Sequence, residues 1–324
     1  MCSLAENKDS PSVSIKPKLV LFYKFPVYYE LASAAGFDIF KSCSKTCELT
    51  VNSTRFAEAD VVVFFSHSHI IWVFFSVESP PNSAASRFGN EVWHGLFNWT
   101  MSYRHDSEFW HGYVRSEKRK QPVANETRAA DEKTWRELFS KKQGLVAWFV
   151  SNCQTDSRRE MYVTELMKHI PVDIYGTCGT LKCTEQDKCV QMLRTKYKFY
   201  LAFENSLCKD YVTEKLLKIY NIGGLIPVVR GGADYHKLFP PNSFIDTSDF
   251  SSPKSLANHL HKLADNEDAY LNMLRWSWDY QVLGPKLPLC KLCERLYEPK
   301  RVSCVYKNVY AWWSDKICHA PRDL

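Results

Sequence analysis

The segment of residues 197–232, YKFYLAFENSLCKDYVTEKLLKIYNIGGLIPVVRGG, constrains the fold of this chain more than any other. Its first part, Tyr197–Phe203, is aromatic and nearly free of charge, which predicts a buried strand. After Asp210, the expected N-cap, apolar residues recur at the spacing of one helix face until the Gly223–Gly224 pair ends the helix. Leu225–Val229 predicts a second strand, so the segment is a strand–helix–strand unit whose strands are expected to be parallel.

Polar side chains stand where such a unit binds ligands, beyond the carboxyl end of the first strand and over the first turn of the helix. These residues are Glu204, Asn205, Tyr211, Glu214 and Lys215. A helix N-terminus beside a lysine suits an anionic ligand, because unpaired amides and the helix dipole favour negative charge. The residue types alone leave open the alternative, a solvated helix start with an ordinary Glu–Lys pair.

The composition favours a folded protein of an oxidising compartment. With 324 residues, 45% of them hydrophobic, the chain is long and apolar enough for two domains. Its net charge of +6 is mild, and the basic run Lys118–Lys120 is typical of a solvated loop rather than of a nucleic-acid site. Twelve cysteines, together with sequons at Asn52, Asn98 and Asn125, favour a secretory protein with disulfides and N-glycans.

Charged side chains follow two other apolar runs. Glu78 comes after the predicted strand Ile70–Ser76, where a carboxylate opens onto a ligand crevice and can serve as a general base. An exposed loop glutamate is the alternative.

Arg158 and Arg159 follow the strand that begins at Gly144 and are the first residues of a predicted helix. The guanidinium fork of either residue suits a diphosphate, and at least one of the two is expected to be an ordinary surface arginine.

The letters FENS, DYVTEK and PVV with a glycine pair resemble the donor-binding signature of the α1,3-fucosyltransferases, glycosyltransferase family ten. The agreement continues more loosely from about Val61 to Cys293, and some stretches are similar to invertebrate members. The resemblance implies an α/β fold of the GT-B class, with two Rossmann-like α/β/α domains facing across a cleft. The expected division is a disordered lead or stem remnant at 1–18, an acceptor-binding domain at 19–143, a GDP-fucose-binding domain at 144–290 and a disulfide-linked extension at 291–324 that packs back.

The resemblance also implies the reaction and the roles of single residues. The expected reaction is an inverting transfer of fucose from GDP-fucose to a GlcNAc hydroxyl, on an N-glycan core or a LacNAc-type antenna. The implied base is Glu78, which in the family belongs to a Glu-Ser-Pro motif. The implied donor-binding residues are Arg159, Asn205, Tyr211, Glu214 and Lys215, with Arg158 and Glu204 as further candidates. Asp106 and His94 are candidates on the acceptor side, and Asp106 is also the alternative carboxylate for the base, unless it is an ordinary turn or cap residue. A non-catalytic carbohydrate-binding protein, or a transferase for another nucleotide-sugar, remains the alternative.

No Asp-x-Asp occurs in the chain, so charge on side chains is expected to replace a metal ion, and no cofactor is predicted. GDP-fucose is then a co-substrate, and the other expected partner is a glycan on a glycoprotein or glycolipid, with no nucleic acid. The resemblance implies structural disulfides among Cys43, Cys47, Cys290 and Cys293. Disulfide pairing is also expected in the loop that holds Cys178, Cys183 and Cys189, with zinc as the alternative.

Members of this family usually act in the Golgi lumen as type II membrane proteins. No signal peptide is visible in the given sequence, and its apolar runs are too short to span a bilayer. The N-terminal membrane anchor is therefore expected to be missing from this sequence.

Overall fold

The structure, a computed structural model, describes residues 3–5, 16–23, 38–63, 71–298 and 303–324. Most of the predicted disordered lead thus lies outside the described residues. The strands are β1 (Ser3–Ala5), β2 (Lys18–Phe22), β3 (Cys47–Thr50), β4 (Val61–Val63), β5 (Ile71–Ser76), β6 (Trp99–Ser102), β7 (Phe109–Trp110), β8 (Arg115–Lys118), β9 (Gly144–Phe149), β10 (Val172–Tyr175), β11 (Tyr197–Phe203), β12 (Ile226–Arg230), β13 (Ile245–Asp246), β14 (Tyr280–Leu283) and β15 (Ser303–Val305).

The α-helices are α1 (Asn125–Lys141), α2 (Arg159–Leu166), α3 (Gln186–Lys196), α4 (Glu214–Ile222), α5 (Tyr235–Leu238), α6 (Pro253–Ala264), α7 (Glu267–Asn272), α8 (Leu289–Leu296) and α9 (Val309–Ser314). Short 3₁₀ helices occupy Asp38–Phe40, Ser53–Glu58, Pro80–Asn82, Ala84–Gly89, Glu91–Trp93, Thr247–Asp249 and Arg275–Trp278. Within the described ranges, no helix is both long and apolar enough to cross a membrane.

Two compact units make up the chain. Unit 1 comprises residues 1–112 and 286–317, and unit 2 comprises residues 113–285 and 318–324. The predicted boundary after residue 143 differs from this division, because β8 pairs with β14 and α1 packs against α7, all within unit 2. The predicted C-terminal extension is divided as well, since α8 and α9 belong to unit 1 and the chain from Cys318 onward belongs to unit 2.

Unit 1 contains a parallel sheet in the order β3-β2-β4-β5-β6-β7. Its β4 is fully buried, as expected for a short apolar run in a sheet that is covered on both faces. Helix α8 packs its apolar side into the same core as β2. Two disulfides, Cys43–Cys290 and Cys47–Cys293, join α8 to the chain around β3. They close loops of 247 and 246 residues, where a cross-link restricts the unfolded chain most.

Unit 2 contains a second parallel sheet, in the order β10-β9-β11-β12-β13. The predicted strand–helix–strand unit is confirmed as β11, α4 and β12, with Phe203 opposite Arg230 at the end of the two strands. Successive residues of β11 point to opposite faces. Phe199 and Leu201 join the core formed with α2 and α6, whereas Tyr200 joins the core formed with α3 and α4.

The predicted N-cap of α4 is wrong. The helix begins at Glu214 after the N-cap Thr213, and its end at the C-cap Gly223, with φ of 67°, agrees with the prediction. Asp210 instead has a left-handed φ of 63° in the turn that precedes the helix. The sequence pattern suggested Asp210 because aspartate is a common N-cap. The helix start is set instead by a hydrogen bond from the backbone N–H of Thr213 to Glu204, the residue that follows β11.

Candidate functional site

The carboxyl ends of β9, β11 and β12 bring polar segments of unit 2 together. Because the three strands are parallel neighbours, the chain that leaves each strand emerges at the same edge of the sheet. The backbone N–H of Ser157 donates to the carbonyl of Asn205 at 3.0 Å, and the N–H of Glu204 donates to the carbonyl of Arg230 at 2.9 Å. We refer to this edge, with residues 152–159, 204–215 and 230–232, as the candidate donor site.

Glu204 is a buried carboxylate at the end of β11, with 1% of its surface exposed. It accepts hydrogen bonds from the backbone N–H of Thr213 at 2.8 Å and from the Thr213 hydroxyl at 2.9 Å. The ammonium of Lys215 donates to the same carboxylate at 3.0 Å. Glu204 therefore fixes the start of α4 against the end of β11 and is the counter-ion of Lys215.

Lys215 is the cation expected at the start of α4. Its ammonium also donates to the Thr213 hydroxyl at 2.7 Å and lies 3.5 Å from a Glu214 carboxylate oxygen. Burial alone would lower the pKa of Lys215, but Glu204 and Glu214 outweigh it and raise the pKa. The charged ammonium is therefore held in place at the start of α4, and 24% of the Lys215 side chain remains exposed.

The two arginines at the start of α2 have different environments. Arg159 is 5% exposed, and it donates from Nη1 to the carbonyl of Phe203 at 2.7 Å and from Nη2 to the carbonyl of Asn152 at 3.3 Å. Arg158 is exposed and occupies the N-cap with a left-handed φ of 48°. Arg159 thus joins the chain ends of β9 and β11, whereas the Arg158 guanidinium extends from the surface.

Two buried polar atoms of this edge have no hydrogen-bond partner among the described residues. They are Nε of Arg159, a donor, and Oδ1 of Asn205, an acceptor. Burying such an atom without a partner costs about 1–3 kcal/mol, so unpaired atoms mark places where a polar ligand or water is favoured. Tyr211, also expected to contact the donor, is 1% exposed and packs with the core.

Sequence reasoning missed Arg230 and Asp323. Arg230 is the last residue of β12 and is 2% exposed, and the carboxylate of Asp323 pairs with it. The rule that placed Glu204 at a strand end could have identified Arg230. No local signal marks Asp323, which lies 93 residues further along the chain.

In unit 1, the strand ends position the carboxylates expected on the acceptor side. Glu78 follows β5 and is half-buried, and the Ser76 hydroxyl donates to its backbone carbonyl at 3.2 Å. Asp106 follows the neighbouring β6 and pairs with Arg104 through two hydrogen bonds of 2.9 and 2.5 Å. His94 is exposed on the connection that leads into the amino end of β6. The sheet therefore brings Glu78 and Asp106 to one edge and leaves His94 on a different connection.

The cysteines of unit 2 form disulfides, as expected for its cysteine-rich loop. Cys183 pairs with Cys189, which the structure places in α3, whereas Cys178 pairs with Cys153, which follows β9. Cys208–Cys318 was not foreseen, because single cysteines far apart in sequence carry no pairing signal. In the described part of the chain, no group of three or more His, Cys, Asp or Glu residues could hold a metal ion.

The three sequons differ in exposure. Asn52 and Asn125 are exposed. Asn98 is half-buried, and its Oδ1 accepts the backbone N–H of Trp72 at 2.9 Å.

Comparison with known proteins gives matches along most of the chain. A family model described as "Fucosyltransferase, N-terminal" matches residues 15–114, and one described as "Glycosyltransferase family 10 (fucosyltransferase) C-term" matches residues 139–312. Alpha-(1,3)-fucosyltransferase C of Drosophila melanogaster is 40% identical over 76% of this chain and 60% of its own length. Alpha-(1,3)-fucosyltransferase fut-1 of Caenorhabditis elegans is 35% identical over 82% of this chain and 64% of its own length. The chain thus spans less than two thirds of the length of these relatives.

A crystal structure of an α1,3-fucosyltransferase with GDP-fucose superimposes with a TM-score of 0.58 at 19% sequence identity, covering 92% of this chain and 96% of that one. The likeness confirms the expected α/β fold of the GT-B class.

Proposed function

Because this chain belongs to glycosyltransferase family 10, the fucosyltransferases, we propose that it transfers fucose from GDP-fucose to a GlcNAc hydroxyl of a glycan. The observation that carries the proposal is the charged ammonium of Lys215, held at the start of α4 on the same edge of the sheet as the unpaired Nε of Arg159 and Oδ1 of Asn205. A nucleoside diphosphate sugar offers what these groups lack. Its phosphate oxygens accept from cations, and its hydroxyl and amino groups donate to a free carbonyl oxygen.

In the proposed complex, Lys215 and Arg159 contact the diphosphate, with the exposed Arg158 as the alternative arginine. Arg159 uses one N–H of each Nη on a backbone carbonyl, and its Nε–H, which has no partner among the described residues, is a donor available to a phosphate oxygen. Asn205 and Tyr211 hold the nucleotide-sugar. Glu214, whose side chain is 64% exposed, faces the positive charge that develops on the fucose ring. Glu204 does not contact the donor in this proposal, because its oxygens are used by Thr213 and Lys215.

The proposed reaction is a single displacement. The Glu78 carboxylate takes the proton of the acceptor hydroxyl, the hydroxyl oxygen forms a bond to fucose C1, and the bond from C1 to the β-phosphate oxygen breaks. The bonding electrons leave with GDP, and the anomeric configuration inverts. Positive charge on Lys215 and Arg159 stabilises the negative charge that grows on the diphosphate. Because no Asp-x-Asp occurs in the sequence, we propose that turnover is independent of divalent metal.

We propose that the acceptor is the GlcNAc of an N-glycan core or of a LacNAc-type antenna, on a glycoprotein or glycolipid. Asp106 and His94 are the proposed acceptor-side residues. Asp106 has a fixed carboxylate through its pair with Arg104, and His94 is exposed. The proposed location is the Golgi lumen, which the disulfides of both units support, because disulfides persist in oxidising compartments.

The test is release of GDP from GDP-fucose in the presence of a panel of glycans, with linkage analysis of the product. Glu78→Gln is expected to abolish GDP release while leaving the Kd for GDP unchanged. Glu91→Gln, an exposed glutamate of the same unit, is the matched control and is expected to retain full activity. Binding of GDP-fucose without turnover on every glycan would contradict the proposal and favour a carbohydrate-binding protein. Turnover only with another nucleotide-sugar would contradict the choice of donor.

A further inference from the structure

The segment of residues 318–324, here called the tail segment, is covalently linked to the candidate donor site at its first residue. Cys318 forms a disulfide with Cys208, in the loop that joins β11 to α4. The backbone N–H of His319 donates to the carbonyl of Leu207 at 3.0 Å. The tail segment is thereby held beside the loop that carries Asn205 and Tyr211.

The other end of the tail segment neutralises a buried arginine. Asp323 accepts two hydrogen bonds from Arg230, each of 2.7 Å, in a bidentate pair. Arg230 is 2% exposed, and its guanidinium lies 5.0 Å from the centre of the Tyr162 ring. Burial alone would raise the pKa of the Asp323 carboxyl, but the bonds to Arg230 lower it. A buried guanidinium without such a carboxylate would be an uncompensated charge.

Arg230 connects this pair to the candidate donor site through Ser157. Its Nη1 donates to the carbonyl of Ser157 at 2.8 Å. Ser157 is fully buried, and its hydroxyl donates to the carbonyl of Glu204 at 2.7 Å. Its backbone N–H donates to the carbonyl of Asn205 at 3.0 Å. Ser157 therefore links two segments of the chain, the one that precedes Arg158 and the one that contains Asn205.

We propose that Asp323 is a positioning residue for donor binding. By neutralising Arg230, it keeps the Arg230–Ser157 bond in place, and Ser157 in turn sets the spacing between the arginines of α2 and Asn205. This inference rests on the proposed function, because it takes the same edge of unit 2 to be the nucleotide site. Asp323 itself does not contact the donor in this proposal, since both of its oxygens bond to Arg230.

The test compares the Kd for GDP, measured by calorimetry on the full chain, with the kinetics of GDP-fucose. Asp323→Asn removes the charge and keeps the size of the side chain. We expect its Kd for GDP and its KM for GDP-fucose to rise about tenfold to a hundredfold, the effect of a small displacement of binding groups, with kcat at saturating donor unchanged. Asp323→Glu, which restores the carboxylate, is expected to recover most of the affinity.

Asp60→Asn is the matched control. Asp60 forms an ion pair of 2.8 Å with Lys18 and accepts the backbone N–H of Leu19 at 2.9 Å, but it lies in unit 1. Its substitution removes a comparable carboxylate and is expected to leave the Kd for GDP unchanged. An effect of the same size in both variants would show a general loss of folding and overturn the positioning role.

The outcomes separate the two proposals. If the unchanged protein does not bind GDP, the proposed function fails. If it binds GDP and Asp323→Asn binds equally well or more tightly, the positioning role of Asp323 fails and the proposed function stands. Should Asp323→Asn not fold, the double variant Cys208→Ser/Cys318→Ser, which releases the tail segment with Asp323 intact, is expected to raise the same Kd. An unchanged Kd in that variant would equally overturn the inference.

Discussion

The Lys215 ammonium lies 3.0 Å from a carboxylate oxygen of Glu204, which is 1% exposed. The same carboxylate accepts the backbone N–H of Thr213, so a single side chain fixes both a helix start and the cation beside it. An ammonium held in this way loses little freedom when an anion binds, which is how a preorganised site gains affinity.

Glu204→Gln is expected to lower the free energy of unfolding by about 2–3 kcal/mol, because it removes the nearer and buried counter-ion of the Lys215 ammonium and leaves only the exposed Glu214. The effect is smaller than for a fully buried pair, since Lys215 is 24% exposed. Urea denaturation measures it. Glu165→Gln, which breaks a surface pair with Lys168, is the control and is expected to cost less than about 0.5 kcal/mol. Equal losses in the two variants would contradict the structural role of Glu204.

Lys215→Met is expected to weaken GDP binding by about tenfold to a hundredfold. The reason is the loss of one charge-assisted hydrogen bond to the diphosphate, worth about 1.5–3 kcal/mol. Calorimetry with GDP measures the change. Lys188→Met, at an exposed lysine of α3 that pairs with Glu185, serves as the control and is expected to bind GDP normally. Unaltered affinity in the Lys215 variant would remove this lysine from the proposed donor site.

Lys142 makes stability depend on pH. Its ammonium donates to the carbonyls of Arg194 and Tyr197 at 2.6 and 2.5 Å, at the end of α3, and burial lowers its pKa from 10.5 to about 7. Between these two values the unfolded chain holds a proton that the folded chain lacks, so this group raises the free energy of unfolding as pH increases, by at most about 1.4 kcal/mol per pH unit.

The measurement is urea denaturation of the unchanged protein and of Lys142→Met at pH 7, 8 and 9. We expect the free energy of unfolding of the unchanged protein to increase with pH relative to that of Lys142→Met. A difference that is constant over this range would contradict the lowered pKa of Lys142.

Glycosylation is expected at Asn52 and Asn125 and not at Asn98 when the protein is secreted from eukaryotic cells. Both of the first two side chains are exposed, whereas Asn98 is bonded to the backbone of β5 and its sequon threonine, Thr100, is fully buried against Glu108. Mass spectrometry of tryptic glycopeptides gives the occupancy of each site. A glycan at Asn98 in folded, active protein would show that this part of unit 1 differs from the structure.

Much of unit 2 could be predicted from the order of its residues, because hydrophobic periodicity is a local property. The strand Tyr197–Phe203 was predicted with the bounds it has, and the helix after it ends at the expected glycine. The start of that helix was mispredicted at Asp210. Aspartate favours N-caps in general, but here the start depends on a carboxylate nine residues before Thr213 in sequence, and no local pattern contains that bond.

The location of the candidate donor site at the carboxyl ends of the strands could also be predicted, because side chains that follow parallel strands share one edge of the sheet. The sequence alone could not assign the environments of Arg158 and Arg159, adjacent residues of the same type. In the structure Arg158 is the exposed N-cap of α2, with a left-handed backbone, whereas Arg159 is the first residue of the helix and is buried against the carbonyl of Phe203.

Residue order along the chain decided the class of the fold, the positions of its strands and helices, and the kinds of side chain available at the candidate donor site. Tertiary structure alone decided which cysteines pair and that Asp323 meets Arg230 across 93 residues. The physical reason is the distance along the chain over which each interaction acts. Backbone preference and periodicity act over a few neighbouring residues, whereas disulfides and buried ion pairs depend on which distant segments the packed core brings within bonding distance.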